Sequence, residues 1–309
     1  MKAPLLATID IGSNSILLLV GRIVQGRLQV ELQRKETIRL GGALDAFGQL
    51  HPHAIERGLD CLRRYADLIR HIPRSQRRAV ATQTLREAHN RDSFLQQASE
   101  ILKCQVELIS GEQEASLIYQ GVSSLLPNHG ESRLVVDIGG RSTEVCVGVD
   151  DKLLSAYSCA LGSVAWAQRF FAEGHLDADT FAQAQSSAQE VLQSQLQHLA
   201  SHPRDQVYGS SGTAGAISKV LYQSGHEVAS ITREGLLQLK HKLIEAGHID
   251  NLPLQGLRDE LKPVIGGGVS IMCAVFEVLH IEHMRIAQGA LRHGLLFQRH
   301  RELLKAPAY

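Results

Sequence analysis

Apolar and polar positions alternate over residues 5–40 in the manner of strands: LLATID, ILLLVGRIV and, beyond the turn at Gln25-Gly26, RLQVELQRKETIRL. LGGALDAFGQL follows as a glycine-bearing loop. HAIERGLDCLRRYADLIRHI then repeats its apolar residues at helical spacing, which predicts an amphipathic helix closed by Pro73. RRAVATQT reads as a strand running into a polar loop. SFLQQASEILKC reads as a helix with Ser93 as its N-cap, QVELIS as the next strand, and residues 111–126 as a helix. A β-meander followed by alternating helices and strands is an α/β pattern.

The second half resumes with LVVDIGG, a strand into a glycine turn. Residues 176–200 predict a long Ala/Gln-rich helix, and QVYGSSGTAGAISKVL a strand, a glycine turn and a helix. Glycines 266–268 open an apolar helix reaching about His280. The tail from about Leu295, with Arg299, Arg301 and Lys305, is expected to return to the first half as a helix.

One motif is written twice. DIGSNSILLLVG at 10–21 and DIGGRSTEVCVG at 137–148 share Asp, Ile, Gly, Ser, Val and Gly at a constant offset of 127. Each copy is a strand, a tight turn and a second strand, so the chain holds two similar halves. Backbone N–H groups around a glycine turn form a nest for phosphate oxygens. An aspartate at the strand end suits a hydrated divalent cation. A phosphate-handling cleft between two related domains is the expectation.

Composition narrows the setting. Length (309 residues) accommodates two domains, and 44% hydrophobic with 21% charged residues is ordinary for a globular protein. Lys+Arg and Asp+Glu balance at 32 each, so no global field draws in nucleic acid or anionic membrane. Five scattered cysteines without a CxxC spacing favour reduced thiols and a cytoplasmic setting. MKAPLLATID meets Asp10 too early for a signal-peptide core, and no membrane partner is expected. His198/His202 and His280/His283 have helical spacing but no third ligand, as zinc catalysis would need.

With DIGSNS, VATQTLREAHNRDSF, ISGEQEASLIYQGV, LVVDIGGRSTE and GSSGT in order, the chain resembles the exopolyphosphatase/guanosine pentaphosphate phosphohydrolase family. The likeness runs from Ala7 to about Phe297 and is nearest the guanosine pentaphosphate branch. It implies two ribonuclease-H-like domains of the actin/sugar-kinase superfamily, with substrate in the cleft between them. The expected domains are 1–118 with 295–309, and 119–294. The implied reaction is Mg²⁺-dependent (or other divalent cation-dependent) release of terminal orthophosphate from inorganic polyphosphate, guanosine pentaphosphate, or both. Longer family members carry extra C-terminal helical domains; their absence here argues against processive work on long chains. Family members often form homodimers.

The resemblance also assigns roles. Gly12, Ser13, Asn14 and Ser15 in the first turn, and Gly139, Gly140, Ser142 and Thr143 in the second, are expected to bind phosphate. So are Gly212 and Thr213 of the third loop. Each turn reads equally as a set of common turn formers, but the repetition favours binding. Arg141 stands where relatives commonly carry glycine, either as a solvent-facing change or as an added phosphate clamp. Asp137 and Glu144 match the cation-binding positions, with Asp10 as the symmetric partner. Glu114 matches the catalytic base, against Glu112 two residues away on another helix face. Arg86 matches the arginine that stabilises phosphoryl charge, with Thr82 beside it.

Lys262-Pro263 and His293 depart from the usual family residues. Two rivals share the turns: a small-molecule kinase of the same superfamily, and a non-catalytic alarmone or polyphosphate sensor. The Glu114 segment, which matches the hydrolase pattern, weighs against the kinase, and retention of Glu114, Asp137 and Glu144 weighs against the sensor.

Overall fold

The structure, a computed structural model, describes residues 3–305 apart from 197, 198 and 200. It divides into two units, Met1–Pro127 with Gly289–Tyr309, and Asn128–Gln288. In the first, β1 (Leu6–Ile11), β2 (Ser15–Val24) and β3 (Arg27–Thr37) form an antiparallel meander. Gln25 (φ 51°) and Gly26 (φ 76°) make the positive-φ pair that a two-residue hairpin needs. α1 (Pro52–Leu68) leads to β4 (Arg77–Ala81), parallel to β1. α2 (Gln83–Glu87) and α3 (Arg91–Leu102) lead to β5 (Val106–Leu108), parallel to β4, and α4 (Gly111–Ser123) follows. The sheet order is β3-β2-β1-β4-β5.

The second unit repeats the plan. β6 (Ser132–Ile138), β7 (Thr143–Val149) and β8 (Lys152–Cys159) form its meander. α5 (Ser163–Phe170) and α6 (Ala178–Leu196) precede β9 (Gln206–Gly209), parallel to β6. Then come α7 (Gly212–Gln223), β10 (Ser230–Thr232), α8 (Arg233–Ala246), α9 (Ile265–Val278) and β11 (His283–Ile286), giving the order β10-β11-β9-β6-β7-β8. The duplicated motif thus marks two similar α/β units, of the ribonuclease-H-like kind that the family resemblance implies. The duplication extends to irregularity: register shifts fall between Val20 and Gly21 and between Val147 and Gly148, at the same offset. A Cβ on Gly21 would lie 2.7 Å from the Gln29 carbonyl oxygen, so the bulge needs glycine there.

The chain returns to the first unit with α10 (Leu291–Lys305). Glycines let α10 and α4 meet backbone to backbone. A Cβ on Gly294 would sit 1.9 Å from the Leu117 oxygen, and one on Gly121 2.1 Å from the Ala290 oxygen. This contact corrects the expected boundaries. All of α4 and the start of α10 belong to the first unit, so the breaks move from 118/119 to 127/128 and from 294/295 to 288/289. His293, a departure from the family pattern, sits at the third position of α10 and accepts from the Ala290 N–H through Nδ1, 3.0 Å. That is the half of a capping box usually made by Glu or Gln. Burial first, then the Arg292 charge, pushes its pKa down to about 3.

Two local expectations change. The polar loop after β4 is instead the short helix α2. α3 begins two residues before Ser93, with Asn90 in the capping position, so Ser93 lies within the first turn. The stretch over 259–278 is apolar enough to span a membrane by composition, yet residues 265–276 are all buried in the second unit's core. Burial also keeps the thiols protonated: Cys61, Cys159 and Cys273 are pushed up to about 12 and Cys104 to about 11.

Candidate active site

In each unit the predicted residues gather at the carboxyl ends of parallel strands, where open α/β sheets bind ligands. In the first unit the DIG turn follows β1. Its neighbour β4 ends beside it, with the Thr82 N–H donating to the Ile11 oxygen at 3.3 Å. β5 ends next, the Ile109 N–H donating to the Ala81 oxygen at 3.2 Å. The first turn, α2 with Arg86, and α4 with Glu114 thus share one edge.

The two turns close identically: the Gly12 N–H donates to the Ser15 oxygen at 3.1 Å, and the Gly139 N–H to the Ser142 oxygen at 2.9 Å. A Cβ on either glycine would stand 3.1 Å from that same oxygen, so any other residue would crowd the turn. The Asn14 oxygen accepts from Ile38 and Arg39, and the Ser13 oxygen from Gly41. In the second turn, the Gly139 and Gly140 oxygens accept from the first residues of α5, Ser163 to Ala165. The carbonyls are therefore satisfied by the scaffold. The Ser15 hydroxyl is buried and has no partner, a polar atom suited to a ligand.

Thr143 is corrected. It is fully buried and donates its hydroxyl to the Leu161 oxygen at 2.5 Å, so it supports the turn from beneath instead of facing a phosphate. Alternation along β7 explains this: Thr143 pairs with buried Ile138 on one face, whereas Glu144 pairs with Asp137 on the other. Ser142 is buried and Arg141 half-buried, the latter's backbone lying against Gly162.

Asp137 and Glu144 stand directly opposite one another, and Ser158 on β8 donates its hydroxyl to Glu144 Oε1 at 2.7 Å. Two carboxylates in that relation repel unless a cation lies between them. Hard oxygen ligands of this kind suit Mg²⁺, which takes one or two carboxylates and completes its shell with water and phosphate oxygens. The residues fit a divalent cation. In the first unit the same register sets Asp10 against Leu17, so the acidic pair is not repeated there. Among the described residues no group of three His, Cys, Asp or Glu side chains is placed to hold a metal. His198 lies outside the described residues; His283 meets the Ser230 hydroxyl at 2.7 Å.

Glu114 lies in the first turn of α4, whose N-terminus is fixed by a Ser110/Gln113 capping box. It is 7% exposed, whereas Glu112 is exposed. Arg86 Nη1 pairs with Glu114 Oε2 at 2.9 Å and donates to the Ile109 oxygen at 2.8 Å. Its Nε donates to Gln83 Oε1 at 2.9 Å, while Gln83 donates to Glu87 at 2.6 Å. A guanidinium so tethered holds a carboxylate still at the edge where the first turn ends. Gln83 and Ser158 do not stand out in the sequence; the i,i+3 spacing of Gln83 and Arg86 on a helix, and the strand register of Ser158, are the only signals.

The third loop follows β9, with the Ser210 N–H donating to the Val136 oxygen at 2.9 Å, next to the second turn. Ser211 caps α7, its hydroxyl accepting from Ala214 at 3.1 Å. Gly212 and Thr213 occupy the first helical turn, where backbone N–H groups point out of the helix. Lys262 pairs locally with Asp259 at 2.8 Å.

Glycine turns and carboxylates at the strand ends of such α/β units suit the handling of phosphate. Residues 19–303 match the Ppx/GppA phosphatase family, and the chain belongs to it. Similar solved structures include the Aquifex aeolicus PPX-GPPA enzyme, 25% identical, covering 96% of this chain and 100% of that one, TM-score 0.80. An exopolyphosphatase from Cytophaga hutchinsonii is 22% identical over 96% and 98% of the two chains, TM-score 0.86. An exopolyphosphatase-like protein is 24% identical over 98% and 100%, TM-score 0.87.

Proposed function

We propose that this chain releases terminal orthophosphate from linear phosphoanhydride chains, with inorganic polyphosphate and guanosine pentaphosphate as substrates sharing that terminus. The observation that carries the reading is the buried Glu114 carboxylate held by Arg86 at the strand ends of the first unit. Glu114 accepts a proton from water as the water oxygen bonds to the terminal phosphorus. The bridging P–O bond breaks, and the shortened chain leaves with the electron pair. Arg86, anchored through Gln83, orients Glu114 and offers its positive charge to the phosphoryl oxygens. The DIG turns donate N–H groups around Gly12 and Gly139, and the orphan Ser15 hydroxyl donates to a phosphate oxygen. Asp137 and Glu144 would hold Mg²⁺, which when bound offsets the charge of the phosphate chain.

The name of the Cytophaga hutchinsonii relative, an exopolyphosphatase, favours polyphosphate. Free, protonated thiols accord with a cytoplasmic setting. The test is orthophosphate release from each substrate with Mg²⁺ and with EDTA. The reading expects release that EDTA abolishes, and absence of release from both substrates with Mg²⁺ would sink it.

A further inference from the structure

The first unit has a second charged feature, at the opposite end of its strands. A cavity of about 440 Å³ opens where β4 begins and just before β5, lined by Arg74, Arg77, Arg78, Lys103 and Arg299 together with Glu107 and Glu302. Its size is that of a small-ligand site. Arg77 stands at the first position of β4, whereas the loop bearing Arg86 follows its last position, Ala81. At about 3.3 Å per residue the strand separates the two ends by ~13 Å, so this cavity is not part of the catalytic edge.

The charges do not cancel. Arg78 pairs with Glu107 at 3.1 Å and Glu302 at 2.8 Å, and Arg299 pairs with Glu302 at 2.8 Å. Those two arginines and two glutamates form a closed quartet tying α10 to the sheet. Among the described residues Arg77 donates only to backbone oxygens, of Ile72 at 2.9 Å, Leu102 at 2.9 Å and Arg70 at 3.2 Å, so no carboxylate there pairs with it. Arg74 and Lys103 are exposed, and among the described residues they make no side-chain hydrogen bond or ion pair. Lys103 is held at the end of α3 with φ 54°, the left-handed conformation in which a lysine is unusual. Within the quartet, Arg78 Nε is buried with no partner.

Three cations without carboxylate partners around one cavity, in a chain whose charges balance overall, describe a receptor for a compact anion of several charges. Arginine forks match phosphate oxygens in geometry. Among the described residues no aromatic side chain lines the cavity to stack a base, which disfavours a nucleic-acid strand. We propose that this cavity is a second anion site, selective for short linear phosphates and separate from the hydrolytic edge.

The test is calorimetric titration of the full chain with tripolyphosphate in EDTA, which removes the divalent cation that hydrolysis is expected to need. Wild type is compared with Arg74→Glu/Lys103→Glu and with Asp137→Asn/Glu144→Gln. The proposal expects the first variant to bind at least tenfold more weakly. It should keep the wild-type melting temperature and the wild-type rate of orthophosphate release with Mg²⁺. Binding at this cavity should survive in the second variant. Equal affinity in wild type and Arg74→Glu/Lys103→Glu would overturn the proposal, as would tighter binding of an oligonucleotide of equal charge. Because binding is read without turnover, failure of the hydrolase reading leaves this result intact.

Discussion

Asp137 and Glu144 face each other across the β6–β7 ladder, at the position where the matching ladder of the first unit pairs Asp10 with Leu17. The duplicated hairpin has therefore kept its turn, register and bulge in both units, but only the second carries two carboxylates. An acidic pair that repels itself is suited to a cation. The two units therefore differ in what they offer at this ladder, the pair belonging to the second alone.

That difference predicts how stability responds to Mg²⁺. Glu144→Gln removes the like-charge repulsion while keeping an acceptor for Ser158, so in EDTA its melting temperature should equal or exceed that of wild type. Mg²⁺ at about 100 times its Kd should stabilise wild type by ~2.7 kcal/mol and the variant far less. Equal Mg²⁺-induced shifts in both proteins, read by thermal unfolding, would remove Glu144 from the cation site.

Arg86→Lys tests the tether. A lysine keeps one charge but cannot meet Gln83, Ile109 and Glu114 together. The expectation is a loss of kcat of roughly 10²–10³-fold, with a smaller loss in Gln83→Ala, whose guanidinium remains but is less firmly aimed. Steady-state kinetics on polyphosphate decide it; wild-type kcat in Arg86→Lys would mean charge alone suffices.

Much of this was legible in the sequence, and the reason is local. The DIG turns, the Gln25-Gly26 hairpin and the α4 start depend on residues near one another in the chain. Glu114 could be separated from Glu112 because helical geometry places them on different faces, and the structure buries the former and exposes the latter. Thr143 was misjudged because its neighbours in the turn suggested a ligand, whereas strand alternation, set by pairing with Ile138, turns it to the core. The domain boundary was misplaced for a different reason. Gly121, Gly289 and Gly294 join helices far apart in sequence, and no periodicity reports a backbone contact of that kind.

The same contact predicts the cost of filling it. Gly294→Ala would press a methyl group onto the Leu117 carbonyl, which is helix backbone and cannot swing aside. The expected destabilisation is at least ~1–3 kcal/mol, measured by denaturant unfolding. A neutral effect would show that α10 is not packed on α4 as described.

His293 gives a pH signature. Its folded pKa is lowered to about 3 from the ordinary 6.5, so the neutral form belongs to the folded state. As pH falls through 6.5 the unfolded chain takes up a proton that the folded chain refuses. The stabilisation is thus complete above 6.5 and is lost towards about 3, at up to ~1.4 kcal/mol per pH unit. His293→Gln retains an acceptor for the Ala290 N–H, and its stability should decline less steeply than that of wild type between pH 6 and 4. Parallel curves would argue against a buried neutral histidine.

The most direct measurement of the hydrolase account is orthophosphate release from polyphosphate, with Mg²⁺, by Glu114→Gln and Glu112→Gln beside wild type. A glutamine at 114 keeps the shape but cannot accept the proton, so kcat should fall by about 10²–10⁴-fold with KM little changed, while Glu112→Gln turns over like wild type. Near-wild-type kcat in Glu114→Gln, or its collapse in Glu112→Gln instead, would contradict the assignment of the base.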